Sequence, residues 1–333
     1  MSKVSSISKF SKSSEFNLFM VNLVLVLLLS IFTNGRFIQF DNILDMLIGY
    51  APMGIIAAGG LVVIISGGID LSFMAIATIA QYLMALYMLN YGGNFFVIFL
   101  IVIITGILLG IINAVLVSSL KAPAMIITIA TRGFFYGLLM YLSNGVWLNN
   151  FPHWFSVKTT FLKTAIPLGS LLIVYVFTAF ILRHTRTGRK IFSIGGNIES
   201  ARRNGVNILM VQLFIYCFAG AIAGIGSVVQ CYLIQNVAPN SLVGNEMDVI
   251  AMIVLGGVTL SGGKGTVFGT FLGFLLIAIM SNGLVLLGVS SYWHNFFVGV
   301  IILISFCITG YKMIKDKQKE QKGRNLDEAE IVK

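Results

Sequence analysis

Apolar runs of about 20 residues recur along the whole chain, and no other feature constrains its fold as much. A run of that length lets an α-helix cross the roughly 30 Å hydrocarbon core of a bilayer, where backbone N–H and C=O groups must be bonded within the protein. Read this way, the sequence predicts about ten spans. They lie near 17–33, 43–66, 72–89, 95–119, 124–142, 165–183, 208–232, 246–260, 266–288 and 293–311. The expected fold is all-α and polytopic. A transmembrane domain over 17–311 is flanked by a cytoplasmic N-terminal segment, 1–16, and a charged cytoplasmic tail, 312–333. With 57% hydrophobic and 10% charged residues, the chain is excluded from the soluble globular class.

The sparse charge is organised. The formal net charge is +10, and the basic residues gather at Lys3, Lys9 and Lys12, in an island near residues 183–203, and after Gly310. Connections rich in Lys and Arg stay in the cytoplasm. Six crossings from the N-terminus to the island and four more to Lys312 put all three clusters on that side; nine or eleven crossings in total would not. The charge is therefore read as retention beside anionic lipid, not as a nucleic-acid surface. The first run, Phe16 to Phe32, follows three lysines as a signal peptide would. It lacks a small-x-small cleavage site and precedes many spans, so an uncleaved first span is expected. Cys217, Cys231 and Cys307 all sit in apolar runs and serve as small fillers.

The island Thr185–Ile208 is the most informative polar stretch. Arg183, Arg186, Arg189, Lys190, Arg202 and Arg203 crowd it, with Glu199 as its only acid. Asn197 is suited to an N-cap, Glu199 to a first turn and Gly205 to a left-handed stop, which together predict a short helix. A helix of roughly two turns is marginal alone in water. It becomes firm against a partner surface, and this points to a docking element for a cytoplasmic motor.

Two other places interrupt the apolar pattern. Gly67-Gly68-Ile69-Asp70-Leu71-Ser72 and Gly256-Gly257-Val258-Thr259-Leu260-Ser261 share a Gly-Gly-apolar-x-Leu-Ser pattern. Broken segments at matching places in two halves flank transport sites, and an internal duplication or chance would both produce the match. Pro52 falls inside the second span and should kink it, whereas Pro123 and Pro167 lie near span starts. Trp147, His153 and Trp154 on the connection 143–164 read as interfacial anchors. Gly106/Gly110, Gly220/Gly224 and Gly269/Gly273 are each one turn apart, the spacing of close helix packing, or of surfaces that glide during alternating access.

Chemistry of the catalytic kind lacks support. Gly262-Gly263-Lys264-Gly265 imitates a phosphate loop, but Val258 stands where the leading glycine belongs and Gly265 where Ser or Thr should follow the lysine. No histidine–carboxylate cluster occurs, since His153, His184 and His294 fall in three separate places. Polar residues inside or at the ends of apolar runs remain: Asp70, Asn113, Arg132, Glu246, Asp248 and Asn282. A charge near the bilayer centre costs about 2.5–3.5 kcal/mol on insertion scales, so each needs a partner or a watery cavity. A translocation path or gate is one reading; structural pairing and helix stapling is the other.

The segments 64–72 (IISGGIDLS), 127–138 (ITIATRGFFYGL), 185–208 (TRTGRKIFSIGGNIESARRNGVNI), 256–270 (GGVTLSGGKGTVFGT) and 281–295 (SNGLVLLGVSSYWHN) resemble the membrane permease of bacterial sugar ABC importers, of the ribose/galactose/xylose type. The likeness covers nearly the whole chain, in order. It implies a multi-pass protein of the bacterial cell membrane that pairs with a second permease, identical or similar. A tandem-cassette ABC ATPase would drive it, binding the ATP and magnesium, with no cofactor in this chain. An extracytoplasmic sugar-binding protein would deliver the cargo. The island corresponds to the coupling loop, 184–207, and that role carries over to Gly188, Arg189, Gly195, Gly196, Asn197, Ala201, Arg202 and Gly205. One departure stands out: Phe73-Met74-Ala75 follows the IDLS segment where the family has Val-Gly-Ser. Alternatives are a related ABC permease for branched-chain amino acids or nucleosides, a secondary transporter or channel without a motor, and an integral membrane enzyme.

Overall fold

The computed structural model describes residues 14–120, 122–156 and 159–290, and beyond these residues 293, 296, 297, 299, 300 and 303. Among the described residues the order is α1 (Ser14–Phe32), α2 (Phe40–Ile65), α3 (Phe73–Tyr91), α4 (Phe95–Ser119), α5 (Ala124–Ser143), α6 (Thr160–His184), α7 (Arg186–Gly196), α8 (Ile198–Arg203), α9 (Ile208–Ile234), α10 (Glu246–Leu255) and α11 (Val267–Leu286), with no strand. Eight of them, α1 to α6, α9 and α11, are long and apolar enough to cross a membrane. Most of the tenth expected span, 293–311, lies outside the described residues, as do Cys307, His294 and the tail.

The eighth expected span, 246–260, is corrected. Its helix, α10, has only ten residues, about 15 Å at 1.5 Å per residue and half of what a bilayer core requires. It stops by the same device that ends α2. After α2, Gly67 turns left-handed at φ +86° and its N–H bonds Ile64 O, while Gly68 N–H bonds Val63 O. After α10, Gly257 does so at φ +85°, bonding Val254 O, and Val258 bonds Ile253 O. This is the two-bond stop that a left-handed glycine permits. The geometry pairs Gly67 with Gly257, whereas the sequence pattern aligns Gly67 with Gly256. The two segments thus share a helix stop, but one residue out of the register of the sequence match.

α2 forms the axis of the bundle and is buried at nearly every position from Ala51 to Ile65. α4 and α9 make the most extensive helix pair, and glycine is the reason. A methyl group on Gly106 would strike the Gly220 carbonyl, one on Gly110 the Tyr216 carbonyl, and one on Gly224 the Val102 carbonyl. Gly269 and Gly273 similarly admit the carbonyls of Gly256 and Met252. With no water to expel between helices in lipid, such close van der Waals approach is a main source of attraction. α1 lies outside this core, held to α11 by Asn22 Nδ2 donating to Leu272 O (3.0 Å).

Pro52 sits inside α2 and Pro123 directly precedes α5. Pro167 is inside α6, not near its start, because α6 begins earlier than the apolar run: Thr159 Oγ1 caps it by accepting from Leu162 N–H. Trp147 is exposed, but Trp154 packs edge-on against Phe95 in an aromatic cluster with Phe155 and Tyr232. Trp154 is thus held by this packing. An antiparallel bridge, Leu148 to Val237, ties this connection to the segment after α9.

Candidate functional site

The basic island folds as two helices. α8 is the short helix the sequence predicts: Asn197 Oδ1 accepts from Ser200 N–H at 2.8 Å, and Gly205 follows at φ +77°. α7 is an addition, missed because its residues read as a charged loop. Thr185 Oγ1 caps it by accepting from Gly188 N–H (3.0 Å), and Gly188, Ile191 and Ile194 bury one face. The eight coupling candidates divide by exposure. Gly188 and Ala201 are buried and Gly195 is partly so; Arg189, Gly196, Asn197, Arg202 and Gly205 face outward. Ile198, at the start of α8, is also exposed. The outer face thus offers cations, a free backbone turn and one aliphatic side chain.

Gly195 turns inward to a junction built from backbone alone. Gly263 N–H donates to Ile65 O at 2.8 Å, satisfying one of the carbonyls orphaned at the end of α2. Gly195 lies so close that a methyl group there would collide with Ile65 O and sit 2.5 Å from Gly263 N. A methyl on Gly262 would meet Gly67 Cα at 2.7 Å and Gly195 O at 2.9 Å. Three segments distant in sequence therefore meet without side chains: the end of α7, the end of α2 and the loop after α10. Gly196, one residue on, has open space around it. Lys264 belongs to the same loop, its carbonyl accepting from Thr259 N–H at 3.2 Å.

The six polar candidates fall in four places. Asp70 and Asn113 meet through Ser72, near the junction. Asp70 Oδ1 accepts from Ser72 N–H (2.7 Å) and Ser72 Oγ (2.6 Å), and Asn113 Nδ2 donates to that hydroxyl at 2.6 Å. Burial pushes the Asp70 carboxyl upward from its ordinary range, and the Ser72 hydrogen bonds oppose the shift. Thr128 completes the corner, accepting from Leu71 N–H and donating to Ile69 O. Arg132 of α5 pairs with Glu246 of α10 at 2.7 Å, and the other Glu246 oxygen accepts from Gly244 N–H. Asn282 and Asn42 exchange amide hydrogen bonds of 3.0 and 3.2 Å between α11 and α2. Asp248 lines a cavity.

The chain matches, over residues 42–306, the family described as branched-chain amino acid transport system / permease component. It belongs to that family. It is 30% identical to the ribose import permease protein RbsC of Haemophilus influenzae over 299 residues, covering 88% of this chain and 92% of the relative. Identity to ribose import permease protein RbsC of Bacillus subtilis is 34% over 286 residues, 85% of this chain and 88% of the relative. Identity to the autoinducer 2 import system permease protein LsrC of Photorhabdus luminescens is 33% over 258 residues, 77% of this chain and 78% of the relative. No solved structure is a significant match.

In this permease the cavity beside Asp248 lies between α2, α9, α10 and α11. It has a volume of about 320 Å³ and brings in Tyr50, Gln230, Asn245 and Ser281 beside Asp248. Tyr50 and Ser281 share a hydrogen bond. A second polar seam sits nearby, where buried Gln81 of α3 donates to Ser227 O (3.0 Å) and accepts from Ser241 Oγ (2.6 Å). Sequence reading misses these residues. Glutamine, serine and tyrosine are common in membrane helices, and only the fold shows which of them share a space.

Proposed function

We propose that the permease is the membrane subunit of an ATP-driven importer of the bacterial inner membrane, carrying a sugar of the pentose or hexose class. The observation that carries this reading is the similarity to ribose import permeases along about nine-tenths of the chain. The autoinducer 2 relative, at 33% identity, makes that class of cargo the second reading. The positive-inside rule places α7 and α8 at the cytoplasmic face. There a tandem-cassette ATPase, holding ATP and magnesium, docks on α8 and the exposed side of α7. A second permease, identical or similar, completes the membrane unit, and an extracytoplasmic binding protein supplies sugar.

The energetic logic is a shift of population. Nucleotide has to bind one arrangement of the assembly more tightly than the other, and the difference in affinity biases inward- against outward-open states. A movement of α8 reaches the bundle through Gly195. The junction ties it to α2 through Ile65 and to α10 through the loop at Gly263. Reconstitution of the permease in proteoliposomes with its ATPase and binding protein tests the reading. Sugar uptake is expected only when ATP is inside with the ATPase and the binding protein is on the other face. Uptake by the permease alone contradicts it.

A further inference from the structure

A groove runs between α6, α11 and α2. On α6 its lining includes Leu168, Leu172, Val176, Ala179 and Arg183, which follow in steps of three or four and so form one stripe of the helix. Phe268 and Phe271 of α11 make the opposite wall, and Leu47 of α2 adds to it. Leu172 and Val176 are more than half exposed, so the groove opens away from the core. From Leu168 to Arg183 it is about 22 Å long, at 1.5 Å per residue. Its volume of about 490 Å³ over that length gives a mean cross-section of about 22 Å². An α-helix is about 10–12 Å across with its side chains, roughly 80 Å² or more in section. The groove has the width of one polymethylene chain and is too narrow to take in a helix.

Arg183 gives the groove a direction. It is exposed in the last turn of α6, and Arg186, three residues on, is exposed as well. In the orientation given above, this end lies at the level of the cytoplasmic headgroups. Lys and Arg at that level attract anionic lipids of the inner leaflet. The apolar walls do not select among lipid tails, because a tail leaves surroundings as apolar as those it enters. Selection therefore falls on the headgroup, where a guanidinium makes charge-assisted hydrogen bonds to a phosphate. A lipid without an ammonium group beside that phosphate is preferred. One leaflet is about 15 Å of the roughly 30 Å core. Its acyl chain reaches past Val176, which lies about 10 Å along the helix from Arg183.

We propose that this groove is a site for one anionic phospholipid of the inner leaflet, with an acyl chain between α6 and α11 and the phosphate on Arg183. The site does not depend on the cargo. It sets a lipid against α6, the helix that passes into α7 through the single residue Thr185.

The full-length permease is reconstituted in vesicles of phosphatidylcholine and phosphatidylglycerol in equal amounts, with one or the other dibrominated on its acyl chains. Val176→Trp reports on the groove. Ile104→Trp, on the exposed side of α4, reports on ordinary surrounding lipid. The signal of the native tryptophans is subtracted with the unsubstituted protein. The Val176→Trp protein is also made with Arg183→Gln and with Arg183→Lys, and each variant is first shown to insert. Quenching at position 176 should favour phosphatidylglycerol roughly fivefold, the size of one basic residue at an anionic surface. Position 104 should show no preference. Arg183→Gln should remove the preference at position 176 and Arg183→Lys should keep it. Equal quenching by the two lipids at position 176, or a preference that survives Arg183→Gln, overturns the site. No quenching there by either lipid also overturns it, and means that protein, the segment 293–311 or a second permease, covers the groove.

Discussion

At the scale of single residues, burial decides what the polar groups do. Asn42 and Asn282 satisfy one another across α2 and α11, and such an exchange in a membrane averages about 0.6 kcal/mol. Asn282→Ala should therefore cost stability of that order, read as a small drop in the unfolding midpoint in detergent. The Arg132–Glu246 pair is different, because Glu246 is buried while Arg132 is about a third exposed. Arg132→Ala leaves a buried carboxylate without its cation, at a cost of about 1–3 kcal/mol. Arg132→Ala combined with Glu246→Gln should be the more stable of the two proteins. A double-mutant cycle on thermal inactivation checks the sign. The Asp70, Ser72, Asn113 and Thr128 corner was legible only in part. Asp70 and Asn113 stand out in sequence, but nothing along the chain says that Ser72 joins them.

At the scale of elements, local signals were readable and long-range ones were not. The Asn197 cap and the Gly205 stop specify α8 within ten residues of chain. α7 went unread because Thr185 caps a run dominated by charge, and its buried stripe of Gly188, Ile191 and Ile194 is narrow. α10 read as a full span because hydropathy counts apolar residues and not the hydrogen bonds that end a helix at Gly257. The glycine pairs were legible as packing surfaces; that Gly106 meets Gly220 was not. Gly106→Val should loosen α4 from α9, since only backbone is available to yield, and overpacking of this kind costs about 1–3 kcal/mol. A lower unfolding midpoint with normal insertion is the expected reading. On α7 and α8, two neighbouring glycines should behave oppositely. Gly195→Ala intrudes on Ile65 and Gly263 and should abolish coupled uptake, whereas Gly196→Ala meets open space within the chain and should leave folding and insertion as in wild type. Gly196→Pro and Arg189→Glu act instead on the docking face, and should lower uptake while the protein still reaches the membrane.

At the scale of the whole molecule, α10 is the connecting piece. Its first turn carries Glu246, paired to α5, and Asp248, on the cavity; its last residues lead into the loop that bonds Ile65 and abuts Gly195. α10 and the loop after it thus run from the cavity to the junction of α2 and α7. The overall class, an all-α membrane bundle, was written in hydropathy. The cavity was not, because its polar residues come from four parts of the chain and each alone is unremarkable. On the function proposed above, the permease is a conduit whose driving force enters at α8. The most direct test is site-specific photo-crosslinking from position 198, in membranes containing the whole importer. The account predicts an adduct between this position and the ATPase whose yield changes when nucleotide is added. Robust ATP-driven uptake with no ATPase adduct from position 198 would contradict it.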